Sequence, residues 1–167
     1  MEIIPAARTV RYEQLEPGEI FLFAEGRTYA LKARPQGDGD RNKMVLLGPS
    51  FLNGQGSSLV GWQATTVLSF GKNCTIFLPT DPNAWAREPV DQSQVWLAVA
   101  DDRIFVCTNG AAVPQLYFPC FVDVQTGEIV EGRIQGFALY TNVWEIAVLG
   151  ANHPPHTILK YPLQEIE

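Results

Sequence analysis

Two histidines and three cysteines are the side chains of this sequence best suited to catalysis or metal binding. His153 and His156 flank Pro154 and Pro155, and a polyproline backbone has three residues per turn, so both imidazoles would project from the same side. Their Cα atoms would lie about 9 Å apart, at ~3.1 Å per residue. Zinc sites need three or four converging ligands, and few other candidates lie nearby in the sequence. We therefore predict no metal and no cofactor, and interpret the segment as a rigid surface loop before the last strand.

The three cysteines, Cys74, Cys107 and Cys120, are odd in number, and none forms a C-x-x-C pair. Cys120 alternates with apolar residues, and a cysteine on the apolar face of a strand behaves as a small hydrophobic residue. Cys107 is the best candidate for a reactive thiol, because it lies near a predicted strand end. Paired with His153 or His156, it gives one alternative function, a small metal- or thiol-dependent enzyme. The favoured interpretation of the cysteines is structural, and we predict no catalytic residue.

Two of the four tryptophans, Trp62 and Trp85, fall in predicted turn or short-helix segments. Exposed indole rings often mark an interface. Together with His153 and His156, these two tryptophans are the predicted binding residues. The partner that they indicate is another protein or a second copy of this chain in a homodimer, and the sequence identifies no small-molecule ligand.

The charge balance restricts the class of partner. The chain has 12 Lys and Arg against 18 Asp and Glu, a formal net charge of −6, and nucleic-acid binding requires clustered cations. Nucleic acid is therefore not the expected partner. One segment departs from this balance, the predicted hairpin of residues 21–43. It combines basic and aromatic side chains, namely Lys32, Arg34, Phe21, Phe23 and Tyr29. That combination is typical of OB-like single-stranded nucleic-acid binders, and it gives a second alternative function.

The sequence predicts a cytoplasmic protein with no membrane association. It contains no run of about 18 apolar residues, the length that a membrane-spanning helix needs. Its first residues lack the basic segment and apolar stretch of a secretory signal.

Short β-rich runs separated by turn residues position these side chains. The sequence predicts hairpins at residues 20–31, 64–78, 95–108 and 116–140, and a further strand at 144–149. About ten short strands at this spacing predict an all-β fold, an antiparallel barrel or a two-sheet sandwich. Helix is predicted only near residues 82–88, with Asp81 as the N-cap and Pro82 at the first helical position.

One predicted strand is unusually long. It covers residues 128–140 and carries Gly132 and Gly136 on one face. Glycines within a strand indicate a bend or another backbone at close distance.

The length of 167 residues suits one all-β domain, residues 1–167. Residues 20–31 and 95–106 correspond as hairpins, so an internal pseudo-repeat of about 15–80 and 90–152 with two pseudo-symmetric halves is a further hypothesis. Because no catalytic constellation is present, the predicted function is a non-catalytic protein- or ligand-binding or assembly module.

Overall fold

The structure, a computed structural model, describes residues 7–23, 27–36, 43–49, 59–61, 66–89, 93–108 and 120–162. Strands dominate this part of the chain, and every strand pairing in it is antiparallel. The strands form three sheets of six, five and three strands. The all-β prediction is therefore confirmed.

The first sheet has the strand order β1-β6-β2-β3-β4-β5. Its strands are β1 (Arg8–Arg11), β2 (Ile20–Phe23), β3 (Thr28–Lys32), β4 (Lys43–Pro49), β5 (Leu59–Gly61) and β6 (Thr66–Gly71). The three-stranded sheet has the order β14-β13-β7 and the five-stranded sheet the order β11-β10-β9-β8-β12. Their strands are β7 (Cys74–Phe77), β8 (Leu97–Ala100), β9 (Arg103–Thr108), β10 (Cys120–Asp123), β11 (Ile129–Glu131), β12 (Leu139–Thr141), β13 (Trp144–Val148) and β14 (His156–Tyr161).

Two of the predicted hairpins are confirmed. β2 pairs with β3, and β8 pairs with β9 around Asp101. Asp101 has a φ of 53°, a left-handed conformation that aspartate tolerates in tight turns. The fourth hairpin is confirmed in its centre, where β10 pairs with β11.

The hairpin predicted at 64–78 is wrong. β6 belongs to the six-stranded sheet, whereas β7 pairs with β13 in the three-stranded sheet. The chain leaves one sheet at Gly71, whose φ is +65°, and enters another within three residues. Turn residues mark where a strand ends, but they do not specify which strand the next one will pair with.

The long strand predicted at 128–140 is also wrong. β11 ends at Glu131, and β12 pairs with β8 at the opposite edge of the same sheet. Gly132 and Gly136 have φ values of +85° and +89°, and a Cβ on either would meet nothing within 4 Å. They therefore provide a bend, not a close approach of backbones. Ile134 and Ala138, between the two strands, pack on the outer face of the sheet.

The predicted helix is a single 3-10 turn, Pro82–Ala84. The Asp81 carboxylate accepts a hydrogen bond from the Asn83 backbone N–H at 2.9 Å, so the predicted N-cap is correct. A second 3-10 turn lies at Tyr12–Gln14. Neither helix in the described part of the chain approaches the length and apolar character needed to cross a membrane.

The main hydrophobic core receives side chains from all three sheets. Phe21 comes from the first sheet, Leu97 and Val106 from the five-stranded sheet, and Ile146 from the three-stranded sheet. A second cluster lies on the other face of the five-stranded sheet. It includes Phe105, whose side chain points to the face opposite that of its neighbour Val106. Both faces of that sheet are therefore buried.

This layered arrangement is sandwich-like. In the ranges that the structure describes, the sheets do not close into a barrel. The single domain of residues 1–167 and the pseudo-repeat of 15–80 and 90–152 stay predictions.

Candidate functional site

A cavity of about 370 Å³ opens where the three sheets meet. We name it the junction crevice and define it by residues 18, 20, 71, 72, 74–76, 102–104 and 123–125. One wall is β7. The facing walls come from the segment that enters β2, from the start of β9 and from the turn after β10. Apolar side chains line part of it, including Ile20, Ile76 and Ile104.

β7 presents its edge to the junction crevice. Three consecutive residues, Cys74, Thr75 and Ile76, line the cavity, and successive side chains of a strand point to opposite faces. A cavity in contact with all three therefore lies beside the strand. Among the strands that the structure describes, β7 is also the terminal strand of its sheet, with β13 on its other side.

The hydrogen-bond alternation of β7 follows from one contact. The Leu149 backbone N–H donates to the Asn73 carbonyl at 3.0 Å, in the same register that pairs Thr75 with Ala147. Residues of an antiparallel pair alternate between bonded and non-bonded positions. Thr75 therefore directs its N–H and C=O toward β13, whereas Cys74 and Ile76 direct theirs into the junction crevice.

An ion-pair network forms the wall opposite β7. Arg103 donates from Nε to Asp123 Oδ2 at 2.7 Å and from Nη2 to Glu128 Oε2 at 2.6 Å. The guanidinium also lies 4.8 Å from the centroid of the Phe105 ring. Arg103 is thus held on three sides and cannot turn toward a ligand without losing these contacts.

Asp123 organises the turn after β10. Its Oδ1 accepts hydrogen bonds from the backbone N–H groups of Gln125 and Thr126, both at 2.8 Å. Burial acts to raise the pKa of Asp123, but the hydrogen bonds from Arg103, Thr126 and Gln125 outweigh it, so the pKa lies below its usual value. Asp123 is therefore a structural carboxylate, ionised at neutral pH.

The backbones of the six-stranded and five-stranded sheets are in direct contact at one end of the junction crevice. The Arg34 N–H, just after β3, donates to the Gly127 carbonyl at 2.7 Å across the two sheets, and the Gly18 N–H donates to the Lys32 carbonyl at 2.8 Å within the six-stranded side. A Cβ on Gly127 would lie 2.6 Å from the Lys32 carbonyl oxygen, and one on Gly18 would lie 2.3 Å from the Gln125 oxygen. We call this contact the glycine seam, formed by Gly18 and Gly127.

A second depression of about 480 Å³ adjoins the junction crevice through Gly71 and Lys72. Its buried carboxylate, Glu19, contacts Arg8 Nη2 at 3.4 Å and accepts a hydrogen bond from Ser69 Oγ at 3.2 Å. Both oxygens of this carboxylate are therefore occupied within the protein.

The structure separates the predicted site residues. Neither cavity is lined by Trp85, His153 or His156. Trp85 is half-buried and its indole N–H donates to the Pro79 carbonyl at 3.2 Å. His153 and His156 are exposed, in the loop before β14 and at its first residue. Trp62 lies outside the described residues.

Burial makes the cysteines poor nucleophiles. Cys107 has no exposed surface, and its burial raises the thiol pKa far above the usual range. Cys74, in the junction crevice, has its pKa raised to about 12 by burial. A thiol with so high a pKa carries almost no thiolate at neutral pH. Within the described ranges, no group of three or more His, Cys, Asp or Glu residues is placed to hold a metal ion.

The structure buries three of the five side chains that suggested a nucleic-acid platform, whereas Tyr29 is half-buried and Arg34 is exposed. Phe21 and Phe23 belong to the main core. Lys32 is 5% exposed, and its ammonium lies 3.6 Å from the centroid of the Tyr12 ring. Burial lowers the pKa of Lys32, and the charge of Glu13 opposes this shift. Both faces of β3 are covered, so Lys32 does not present its charge on a solvated surface, whereas Arg34, beyond the end of the strand, is exposed.

No family model, no curated protein and no solved structure matches this chain. The geometry of the junction crevice is therefore the basis of the proposal below. Sequence reasoning missed its residues because they come from four distant segments. One local signal was present: Asp123 followed by Thr126 and Gly127 has the composition of a side-chain-capped turn.

Proposed function

We propose that this protein is a non-catalytic binding module that holds a partner protein in the junction crevice. The observation that carries the proposal is the convergence of all three sheets on one cavity with a mixed lining. Apolar side chains such as Ile20 and Ile104 lie there beside charged ones such as Asp102. Binding sites typically combine an apolar lining with a few polar groups that fix orientation.

The chemistry of the lining supports binding over catalysis. Catalysis requires a nucleophile or base within hydrogen-bond reach of the reacting atom. The thiol in this cavity, Cys74, is held protonated by burial, and the carboxylate of Asp123 is occupied by Arg103 and two backbone N–H groups. Both groups serve the protein's own structure.

The partner that we propose is another protein in the cytoplasm. An acidic chain with a net charge of −6 repels polyanions and attracts basic surfaces. Self-association into a homodimer is the competing possibility for the same surface, and the experiments below distinguish the two.

A peptide-display selection against the immobilised full-length chain tests this proposal. We expect the wild-type protein to enrich binding peptides. Gln125 is exposed and lines the junction crevice, so Gln125→Trp should fill part of the cavity and weaken binding of the selected peptides by at least about tenfold.

Thr157→Trp provides the matched control. Thr157 is also exposed, but it lies on β14 away from both cavities. We expect this variant to bind the selected peptides like the wild type, with circular dichroism verifying that both variants fold. The proposal fails if the wild type enriches no peptide, or if Gln125→Trp and Thr157→Trp bind equally well.

A further inference from the structure

We propose that the junction crevice binds an extended segment of the partner protein, which adds to β7 as a fourth strand and directs a Lys or Arg side chain to Asp102. This inference rests on the proposed function and deepens it. It names the backbone atoms that hold the segment and the side chain that the segment must carry.

The edge of β7 supplies the backbone groups. Cys74 and Ile76 direct their N–H and C=O groups away from β13, as the bond between Leu149 and Asn73 shows. Within the described residues, neither residue makes a backbone hydrogen bond on that side. A strand that pairs there forms up to four hydrogen bonds, the pattern of peptide recognition by strand addition.

The size of the junction crevice selects one strand. A segment that pairs with the four residues of β7 is about 13 Å long at ~3.3 Å per residue and lies ~4.8 Å from β7. The volume of the cavity, about 370 Å³, is comparable to that of one short extended segment with small side chains. A second copy of this chain carries the same net charge of −6, so like-charge repulsion disfavours it as the occupant.

The charge at the edge of the junction crevice determines which side chain the bound segment must carry there. Asp101 and Asp102 are exposed and form no ion pair within the described residues. The cations nearby are already engaged, Arg103 with Asp123 and Glu128, and Lys72 with Glu16. The unbalanced charge is therefore negative, and a basic side chain of the segment complements it.

Apolar side chains of the segment have a place as well. Ile20, Ile76 and Ile104 line the cavity. In an extended segment, side chains alternate between two faces. We expect an alternating pattern in which small apolar residues occupy the cavity side and the basic residue lies at the end nearest Asp102.

Proline substitution in β7 tests the strand addition. The Ile76 N–H faces the junction crevice, so Ile76→Pro removes one donor to the segment and leaves the ladder with β13 in place. Ile76→Ala is the matched control, because it also removes the isoleucine side chain but keeps the N–H. We expect Ile76→Pro to bind the selected peptides about five- to tenfold more weakly than Ile76→Ala, the loss expected for one hydrogen bond.

N-methylation of the peptide tests the same point without altering the protein fold. A selected peptide is synthesised with one backbone N-methyl group at each position in turn. Strand addition predicts losses of about tenfold or more at every second position of the paired stretch and small effects at the positions between. Losses without this two-residue alternation, together with equal binding by Ile76→Pro and Ile76→Ala, overturn the inference while the binding function itself stands.

The interaction of the segment's Lys or Arg with Asp102 is tested by mutation and by salt. We expect Asp102→Asn to weaken binding several-fold, and the wild-type affinity to fall as salt rises from 50 to 500 mM, because added salt screens exposed charges. Selected peptides that carry no Lys or Arg, or that bind Asp102→Asn unchanged, overturn the charge assignment.

Sedimentation of the protein alone tests a second copy as the occupant. If the wild type sediments as a dimer that Ile76→Pro dissociates and Ile76→Ala does not, the occupant is a second copy and the proposed partner is overturned.

Discussion

The two ends of the junction crevice differ although both have a glycine in the left-handed conformation. Gly127 has a φ of +70° and Gly71 a φ of +65°. At Gly127 a Cβ would lie 2.6 Å from a carbonyl oxygen of the neighbouring sheet, whereas at Gly71 it would meet nothing within 4 Å. The same backbone conformation thus joins two sheets at one end and only turns the chain at the other. We call the Gly71 end the open end; the space that remains there is the candidate binding site.

The largest expected effect is the stability difference between Gly127→Ala and Gly71→Ala. Both variants place an alanine at positive φ, which costs about 1–2 kcal/mol. Gly127→Ala also forces the two sheets apart, and overpacking of this kind costs about 1–3 kcal/mol more. We expect Gly127→Ala to lower the free energy of unfolding by about 2 kcal/mol more than Gly71→Ala, measured by urea denaturation. Equal losses in the two variants would show that the glycine seam does not constrain the sheets.

A smaller effect, with a defined pH dependence, is expected at Asp123, beside the glycine seam. Asp123→Asn keeps an oxygen acceptor for the turn but loses the charge facing Arg103. Because Arg103 is 42% exposed, solvent screens the pair, and we expect a loss of about 1 kcal/mol at pH 7.

The pH dependence follows from the lowered pKa of Asp123. An aspartate with a lowered pKa in the folded state stabilises the protein above its unfolded pKa of about 3.9, and this contribution is lost as the pH falls through the folded value. The difference in unfolding free energy between wild type and Asp123→Asn should therefore be constant from pH 7 to about 5 and shrink below pH 4. A difference that grows on acidification would contradict the assigned role.

The smallest effect is expected at the open end. Lys72 pairs with Glu16 at 3.3 Å, and the two side chains are 51% and 71% exposed. Exposed pairs contribute about 0–1 kcal/mol, so Lys72→Gln should change the unfolding free energy by less than about 0.5 kcal/mol. Glu16→Gln is the matched change on the other partner. A loss as large as that of Asp123→Asn in either variant would remove the distinction between the two ends.

Local sequence predicted the β2–β3 and β8–β9 hairpins and the centre of the β10–β11 hairpin, whose strands are neighbours both in the chain and in a sheet. The apolar runs of β8 and β9 and the turn at Asp101 were sufficient for one of them, because strand and turn propensities are local properties. β6 and β7 satisfy the same local criteria, yet they join different sheets. That outcome depends on β13, far along the chain, which no local pattern identifies.

The candidate site was not predictable for the same reason. Ile20, Ile76, Asp102 and Asp123 come from four separate segments, and the fold alone brings them to one cavity. Lys32 illustrates a second limit. Lysine is almost never fully buried in proteins, so its burial against Tyr12 could not be read from alternation along β3. The sequence predicted where most strands lie, but it did not predict how the sheets pack against one another.

The long separation between β7 and its partner strand has a consequence for synthesis on the ribosome. All the strands that the structure describes in the six-stranded sheet lie before residue 72, so their pairings can form once residue 71 has emerged. Thr75 pairs with Ala147, so β7 waits for about 70 more residues, roughly 4 to 14 s at ordinary elongation rates. Throughout that interval β7 lacks the strand that pairs with it in the folded chain, and an unpaired strand edge can recruit chaperones or neighbouring chains.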